Sequence, residues 1–390
     1  MPTAQPLGPL PLPTGAAEPL YFDYAATTPV DERVIARMVE CLGRDGTFGN
    51  PASTSHFFGQ RARAQVEHAR GQVAALVGAH PAQLAWTSGA TESNNLALKG
   101  VAYGQPARKG HIVSSQLEHK AVLDTLGHLE TEGFTVTYLA PDSAGAITAE
   151  AVAGALRADT FLVSLMLANN EVGTVTDIAA IGERVRAHGA LMHVDAAQAT
   201  GKVGIDLAVL AVDLMSFSAH KTYGPKGVGA LYVGPRAQGR LQPQLHGGGH
   251  ENGLRSGTLA THQIVGMGEA FALAGALAGE EFARIAALRQ RLTRALRGLP
   301  LTLNGQGSAH LPHTVSLTPD RDVVLAGGLA LSSTSACNSA QDAPSHVLLA
   351  LGLAPAQARR TLRISLGRYT TAQEVDYAAG LIRQALLAAP

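Results

Sequence analysis

Between residues 84 and 233 short apolar runs alternate with helical stretches, and this alternation limits the fold of the 390-residue chain more than any other feature. The runs cover 84–87, 111–114, 134–139, 161–167, 191–194, 214–217 and 229–233. Helical periodicity lies between them at 92–100, 120–132 and 178–188. Strands this short and this apolar are buried on both faces. The pattern therefore predicts an α/β fold with a mostly parallel sheet sandwiched by helices. Ligands of such sheets bind at the carboxyl ends of the strands.

The flanks read differently. Residues 20–22 suggest a brief strand, 31–43 a helix with Val34, Met38, Cys41 and Leu42 on one face, and 60–77 a long helix stopped by Gly78. Cys41 on that face reads as a small core hydrophobe. Past His262 a long helix, 262–296, leads to strands at 301–303 and 314–317, a helix at 323–331 and a polar loop at 332–342. A helix at 345–351, a strand at 361–366 and a helix at 372–387 follow. We expect a large domain over 31–274 and a smaller α/β domain formed by 275–390 with 20–30. Residues 1–19, with six prolines, are expected to form a flexible arm.

Thirty basic and thirty acidic residues cancel, so no bulk field draws the chain to nucleic acid or an anionic membrane. The longest apolar run, 270–279, is too short to span a bilayer. Residues 1–19 carry no basic residue before their leucines and do not read as a secretory signal. Two cysteines make a disulfide scaffold an unsuitable reading, which points to a reducing cytoplasm.

Five strand ends carry chemistry. Lys221 follows the run 214–217, where Gly224, Pro225 and Gly227 forbid a regular continuation. A desolvated amine there has a lowered pKa and can form a Schiff base, although taken alone it reads as a solvated loop lysine. Ser88 to Asn95 follows a strand and opens a helix, which suits either a bound phosphate or an ordinary Ser/Thr cap. Asp195 ends a strand and would cap the next helix or face a pyridinium nitrogen, with Gln198 beside it to donate to a phenolate oxygen. His119 reads as a surface histidine or as a ring that stacks on a flat cofactor and moves protons. Asn170, in Asn169-Asn170-Glu171, can add a hydrogen bond to substrate or ring. Together these groups describe a pyridoxal-phosphate site.

Asp23-Tyr24-Ala25-Ala26-Thr27-Thr28-Pro29, Ser88-Gly89-Ala90-Thr91-Glu92-Ser93, Asn169-Asn170-Glu171, His193-Val194-Asp195, Ser218-Ala219-His220-Lys221 and Arg255-Ser256-Gly257-Thr258 resemble the pyridoxal-phosphate cysteine desulfurases. The likeness is to the NifS/IscS branch of the class V aminotransferase family. It runs from about Leu20 nearly to the C-terminus and implies the fold type I of pyridoxal-phosphate enzymes, a homodimer and L-cysteine as substrate. Carried over, it implies that Lys221 binds the cofactor as a Schiff base, Asp195 pairs with the ring nitrogen and His119 stacks on the ring. Gln198 would contact the ring oxygen, and Asn170 the substrate or cofactor. Ala90, Thr91, Ser218 and His220 would hold the phosphate, as would Thr258 from a second copy. Arg363 would grip the substrate carboxylate, a task for a planar guanidinium.

Cys337 lies in the polar stretch 332–340, which has neither helical nor strand periodicity. A thiol there is an oxidation liability unless it works, and Ser335-Ala336-Cys337 matches the family's persulfide-forming loop. The resemblance implies conversion of L-cysteine to L-alanine. The sulfur passes to Cys337 and then to an acceptor protein, an iron–sulfur scaffold or a tRNA-thiolation protein. Thr334 stands where the family usually has glycine, and Asn338 where threonine is common. A selenocysteine lyase or cysteine-sulfinate desulfinase on the same fold is the rival enzyme, and a partner-binding scaffold the rival of another class. His246 to Glu251 could be read as a metal site, but three consecutive glycines and the lack of a third ligand leave no metal expected.

Overall fold

A computed structural model describes residues 19–107, 109–142, 144–325, 328–333 and 343–388. The first half runs β1 (Leu20–Tyr21), α1 (Glu32–Val39), α2 (Phe57–Val77), β2 (Leu84–Thr87), α3 (Ala90–Tyr103), β3 (His111–Ser115), α4 (Lys120–Thr131) and β4 (Thr135–Leu139). Then come α5 (Ala149–Ala155), β5 (Thr160–Met166), α6 (Ile178–His188), β6 (Leu191–Asp195), β7 (Leu214–Ser218), β8 (Gly229–Val233) and α7 (Thr261–Ala295). The last part is β9 (Leu301–Leu303), β10 (Thr314–Pro319), β11 (Leu329–Ala330), β12 (Ser332–Ser333), α8 (His346–Ala350), α9 (Pro355–Arg360), β13 (Leu362–Ser365) and α10 (Ala372–Leu387).

The central sheet has the order β2-β8-β7-β6-β5-β3-β4, parallel throughout except that β8 runs antiparallel to β2 and β7. Alternate side chains feed two separate cores. Val113, Val163, Met215 and Phe217 pack against α2, α6 and α7, whereas Ile112, Leu162, Leu214 and Leu231 pack against α3 and α4. That is the two-sided cover that the uninterrupted apolar runs predict. Gly78 ends α2 at φ 64, and a Cβ there would lie 2.2 Å from an Asp206 carboxylate oxygen, so the stop requires glycine.

A second sheet, β12-β13-β10-β9, is antiparallel, and β1 pairs with β11 in a parallel two-stranded ribbon. Phe22, Val315, Leu317 and Ile364 form its core with α10 and the second half of α7, through Ile285, Leu288 and Leu292. The first half of α7, through Ile264, Met267 and Phe271, belongs to the core of the central sheet. One 35-residue helix thus joins both cores.

Two expectations change. The helix predicted over 323–331 is absent where the chain is described: Leu329–Ala330 is a strand, and Leu20 and Phe22 donate their amides to the carbonyls of Gly328 and Ala330. Gly327, Gly328 and the β-branched pair Val323-Val324 make a poor helix, and pairing with β1 wins. Leu42, expected on the buried face of the first helix, lies beyond its end and is exposed, while Cys41 is buried. Among the described residues no helix is long and apolar enough to cross a membrane.

Candidate active site

Lys221 sits in the turn after β7, and Thr28, from the turn after β1, holds the backbone on both sides of it. The Thr28 amide and hydroxyl both donate to the His220 carbonyl, at 2.9 and 3.0 Å, and the same hydroxyl accepts from the Tyr223 amide at 2.9 Å. Tyr223 stands at φ 60, a region that non-glycine residues seldom occupy. Thr27 adds a 3.1 Å hydrogen bond to Nδ1 of His220. The lysine is therefore positioned by a segment 192 residues away from its neighbour His220 in sequence.

The strand ends open onto a cleft of about 1210 Å³, counting the solvent space at its mouth. It is lined by Lys221, Asp195, Gln198, Ser218, His220 and His119, by Ala90 and Thr91 of α3, and by Asn170 and Arg363. Thr258 is exposed and does not line it. Its loop is tied to the start of α3 by an ion pair between Arg255 and Glu92 at 2.7 Å. Cys337, with Thr334 and Asn338, lies outside the described residues.

The Asp195 carboxylate is buried and aimed by two donors, the Asn94 side chain at 2.8 Å and the Ala197 amide at 2.9 Å. Beneath it His193 bridges Ser164 and Ser216, at 2.8 and 3.0 Å, and so ties β5, β6 and β7 together. Burial holds His193 down at about 4, so it stays neutral and structural.

His119 caps α4, its Nδ1 accepting from the Ala121 amide at 3.1 Å. The neutral ring therefore carries its proton on Nε2. Burial first, and then the Lys221 cation, push its pKa down and favour that neutral form. His220 is likewise held down, to about 4, by burial and by Lys221, Lys226 and Lys202.

The start of α3 is shaped for close approach. Its N-cap is Gly89 at φ 149, which offers no side-chain acceptor to the first helical amides. A Cβ on Gly229 would lie 2.6 Å from Gly89 Cα, so only glycine in β8 lets this loop settle onto the sheet. An uncapped helix N-terminus at a cleft suits an anion.

The structure adds Lys202, to which the sequence assigns no role. Gln198 donates to the Ala25 carbonyl at 2.7 Å and accepts from Nζ of Lys202 at 3.2 Å. Lys202 is half-buried, and its amine is held down to about 7, by burial first and then by Lys221 and Arg363. Lys202 follows Gln198 by four residues, a helical-turn spacing that gives the only hint in the sequence. Arg363 on β13 bonds Asp23 at 2.8 Å, the Ser332 hydroxyl at 3.0 Å and the Asn170 carbonyl at 3.1 Å. Of the other two residues in its stretch, Asn169 shapes the turn by accepting from the amides of Glu171 and Val172, and Glu171 accepts from Ser345. Glu251, part of the conceivable metal stretch, instead takes a buried ion pair with Arg70 at 2.8 Å.

Pyridoxal phosphate fits these donors. A buried carboxylate fixed by Asn94 suits a ring nitrogen, the capless α3 terminus suits a phosphate, and Lys221 lines the same cleft. Fold and site define a pyridoxal-phosphate enzyme of fold type I. The sequence profile described as aminotransferase class-V matches residues 20–378. A cysteine desulfurase IscS of Ectopseudomonas mendocina (strain ymp) is 57% identical over 94% of this chain and 93% of its own length. Among solved structures, a NifS-like protein superposes with a TM-score of 0.87 at 38% identity, covering 94% of this chain and 99% of that one. One described as SspA in complex with cysteine does so with a TM-score of 0.80 at 40% identity, covering 90% and 99%. The chain belongs to the class-V aminotransferase family, in its branch of IscS-like, pyridoxal-phosphate-dependent cysteine desulfurases.

Proposed function

We propose that this cleft converts L-cysteine to L-alanine and leaves the sulfur on Cys337 as a persulfide for an acceptor protein. The observation that carries the reading is the convergence of Lys221, Asp195, His119 and the α3 N-terminus on one cleft with Arg363. Lys221 holds the cofactor through its amine and moves the substrate's Cα proton. Asp195 keeps the ring nitrogen protonated, His119 covers the ring, and Gln198 donates to its oxygen. Ala90, Thr91, Ser218 and His220 hold the phosphate, joined by Thr258 of a second copy in a homodimer. Once bound, the cofactor withdraws electrons from Cα and weakens the bonds there. Arg363 and Asn170 orient the substrate. The Cys337 thiolate attacks the substrate sulfur: an S–S bond forms, the C–S bond breaks, and protonation of the carbon fragment yields alanine.

Cys41 is the poor alternative. It is buried, its thiol contacts the Arg37 carbonyl at 3.7 Å, and burial pushes its pKa up. Such a thiol is inert. The acceptor is an iron–sulfur scaffold or a tRNA-thiolation protein, and the balanced charge suits a cytoplasmic enzyme. The two cores joined by α7 support a division near residue 275, with 31–274 holding the cofactor and 275–390, with 20–30, closing the substrate side. The test is to incubate the enzyme with L-cysteine and map by mass spectrometry which cysteine gains one sulfur. Sulfur on Cys337 is expected. Sulfur on Cys41, or on neither while alanine accumulates, would refute the assignment.

A further inference from the structure

Arg363 is not ready to receive a carboxylate. A guanidinium grips a carboxylate through two parallel N–H groups, either Nη1 with Nη2 or Nε with Nη2. Both forks need Nη2, and Nη2 has two hydrogens. One is given to Asp23 Oδ1 at 2.8 Å and the other to the Ser332 hydroxyl at 3.0 Å. Nη1 bonds the Asn170 carbonyl at 3.1 Å, while Nε is buried with no partner among the described residues. A buried N–H without an acceptor is costly, and each such group in a folded protein calls for a reason.

The Asp23 backbone is anchored: its carbonyl accepts from the Ala26 amide at 3.0 Å and the Tyr21 hydroxyl at 3.1 Å, and the residue bridges to Ser365. Its side chain is 21% exposed, against 3% for that of Arg363, so the carboxylate can turn to water without moving the chain. Resting on the desulfurase reading, we infer that Asp23 is a specificity-determining placeholder that the substrate carboxylate must displace from Arg363. The incoming carboxylate takes the Nε–Nη2 fork and satisfies the orphaned Nε. Asp23 meanwhile returns to solvent. Binding becomes an exchange of one carboxylate for another. A ligand without a carboxylate cannot drive it, and the product alanine is held less tightly than a bare buried guanidinium would hold it.

The experiment compares holoenzyme with Asp23→Asn, measuring KM for L-cysteine and the inhibition constants of L-alanine and of ethylamine, its carboxylate-free counterpart. Loss of the competing charge is expected to tighten L-alanine about tenfold and lower KM similarly, as for one charge-assisted hydrogen bond. Ethylamine should be unchanged, and kcat should fall as alanine leaves more slowly. Unchanged or weaker L-alanine binding, or equal tightening of both ligands, overturns the inference. If Asp23→Asn does not fold, Ser332→Ala decides instead. It frees the other Nη2 hydrogen and should tighten L-alanine about threefold, a smaller share because no charge is removed; no tightening would overturn the inference. Failure of the unaltered enzyme to turn over L-cysteine would refute the desulfurase reading itself, a result distinct from either variant's.

Discussion

Arg70 and Arg363 are both buried, 8% and 2% exposed, yet they are satisfied to different degrees. Arg70 makes five hydrogen bonds, two to Glu251, two to Glu67 and one to the Leu84 carbonyl, which matches its five N–H groups. It also lies 5.3 Å from the centroid of the Trp86 ring. Glu251 returns the favour to the backbone by accepting from the Trp86 amide at 2.8 Å. Arg363 makes three bonds and leaves Nε without a partner among the described residues, and it alone of the two lines the cleft. The difference separates a buried charge that holds architecture from one kept short of partners for a ligand. Saturation, rather than burial, marks the distinction.

The largest effect should come from breaking the saturated pair. Glu251→Gln leaves the buried guanidinium with only the half-exposed Glu67 as counter-charge, and removing one partner of a buried pair costs up to about 3–5 kcal/mol. Calorimetry should show a much lower Tm, with the preference for L-cysteine over carboxylate-free amines intact. Arg363→Lys should do the reverse. An ammonium cannot form the fork, so KM for L-cysteine is expected to rise about tenfold or more while Tm moves little. If Arg363→Lys unfolds the protein as readily as Glu251→Gln does, the two arginines are not different in kind.

The smallest effect concerns another buried group left short of partners, Glu118. Its Oε1 accepts from Ser115 at 2.6 Å and the Met166 amide at 3.1 Å, while Oε2 has no partner among the described residues. Burial raises its pKa from 4.5 to about 8. The folded chain therefore keeps a proton that the unfolded chain has released. This contribution to stability is fully present below about 4.5 and is lost as pH rises through about 8. Glu118→Gln mimics the protonated acid, so its Tm should fall less than the unaltered enzyme's between pH 6 and 9. Parallel slopes would mean that Glu118 is ionised at neutral pH and has a partner.

Much of the site could be read without coordinates. Lys221, Asp195 and His119 each follow an apolar run, and runs of that kind become strands whose carboxyl ends meet at one edge. The start of α3 was visible as Ser88-Gly89 after a strand, although the sequence could not tell a cap from an anion seat. Other features were not legible. Nothing near Asn94 says that its amide aims Asp195, because the two residues meet only when α3 lies across β6. The short strand at Leu329–Ala330 takes its form from β1, more than 300 residues earlier, and the helix reading of 323–331 misjudged it.

By itself the sequence determined the layers and the strand ends, since periods of two and of about 3.6 and the stops set by glycine and proline act within a few residues. Only the tertiary structure decided which polar groups are satisfied. Thr28 reaches His220 across 192 positions and Asp23 reaches Arg363 across 340. Pairs so distant leave no periodic trace, because they arise from how two sheets and the helix between them pack. That packing saturates Arg70 and leaves the Nε of Arg363 open.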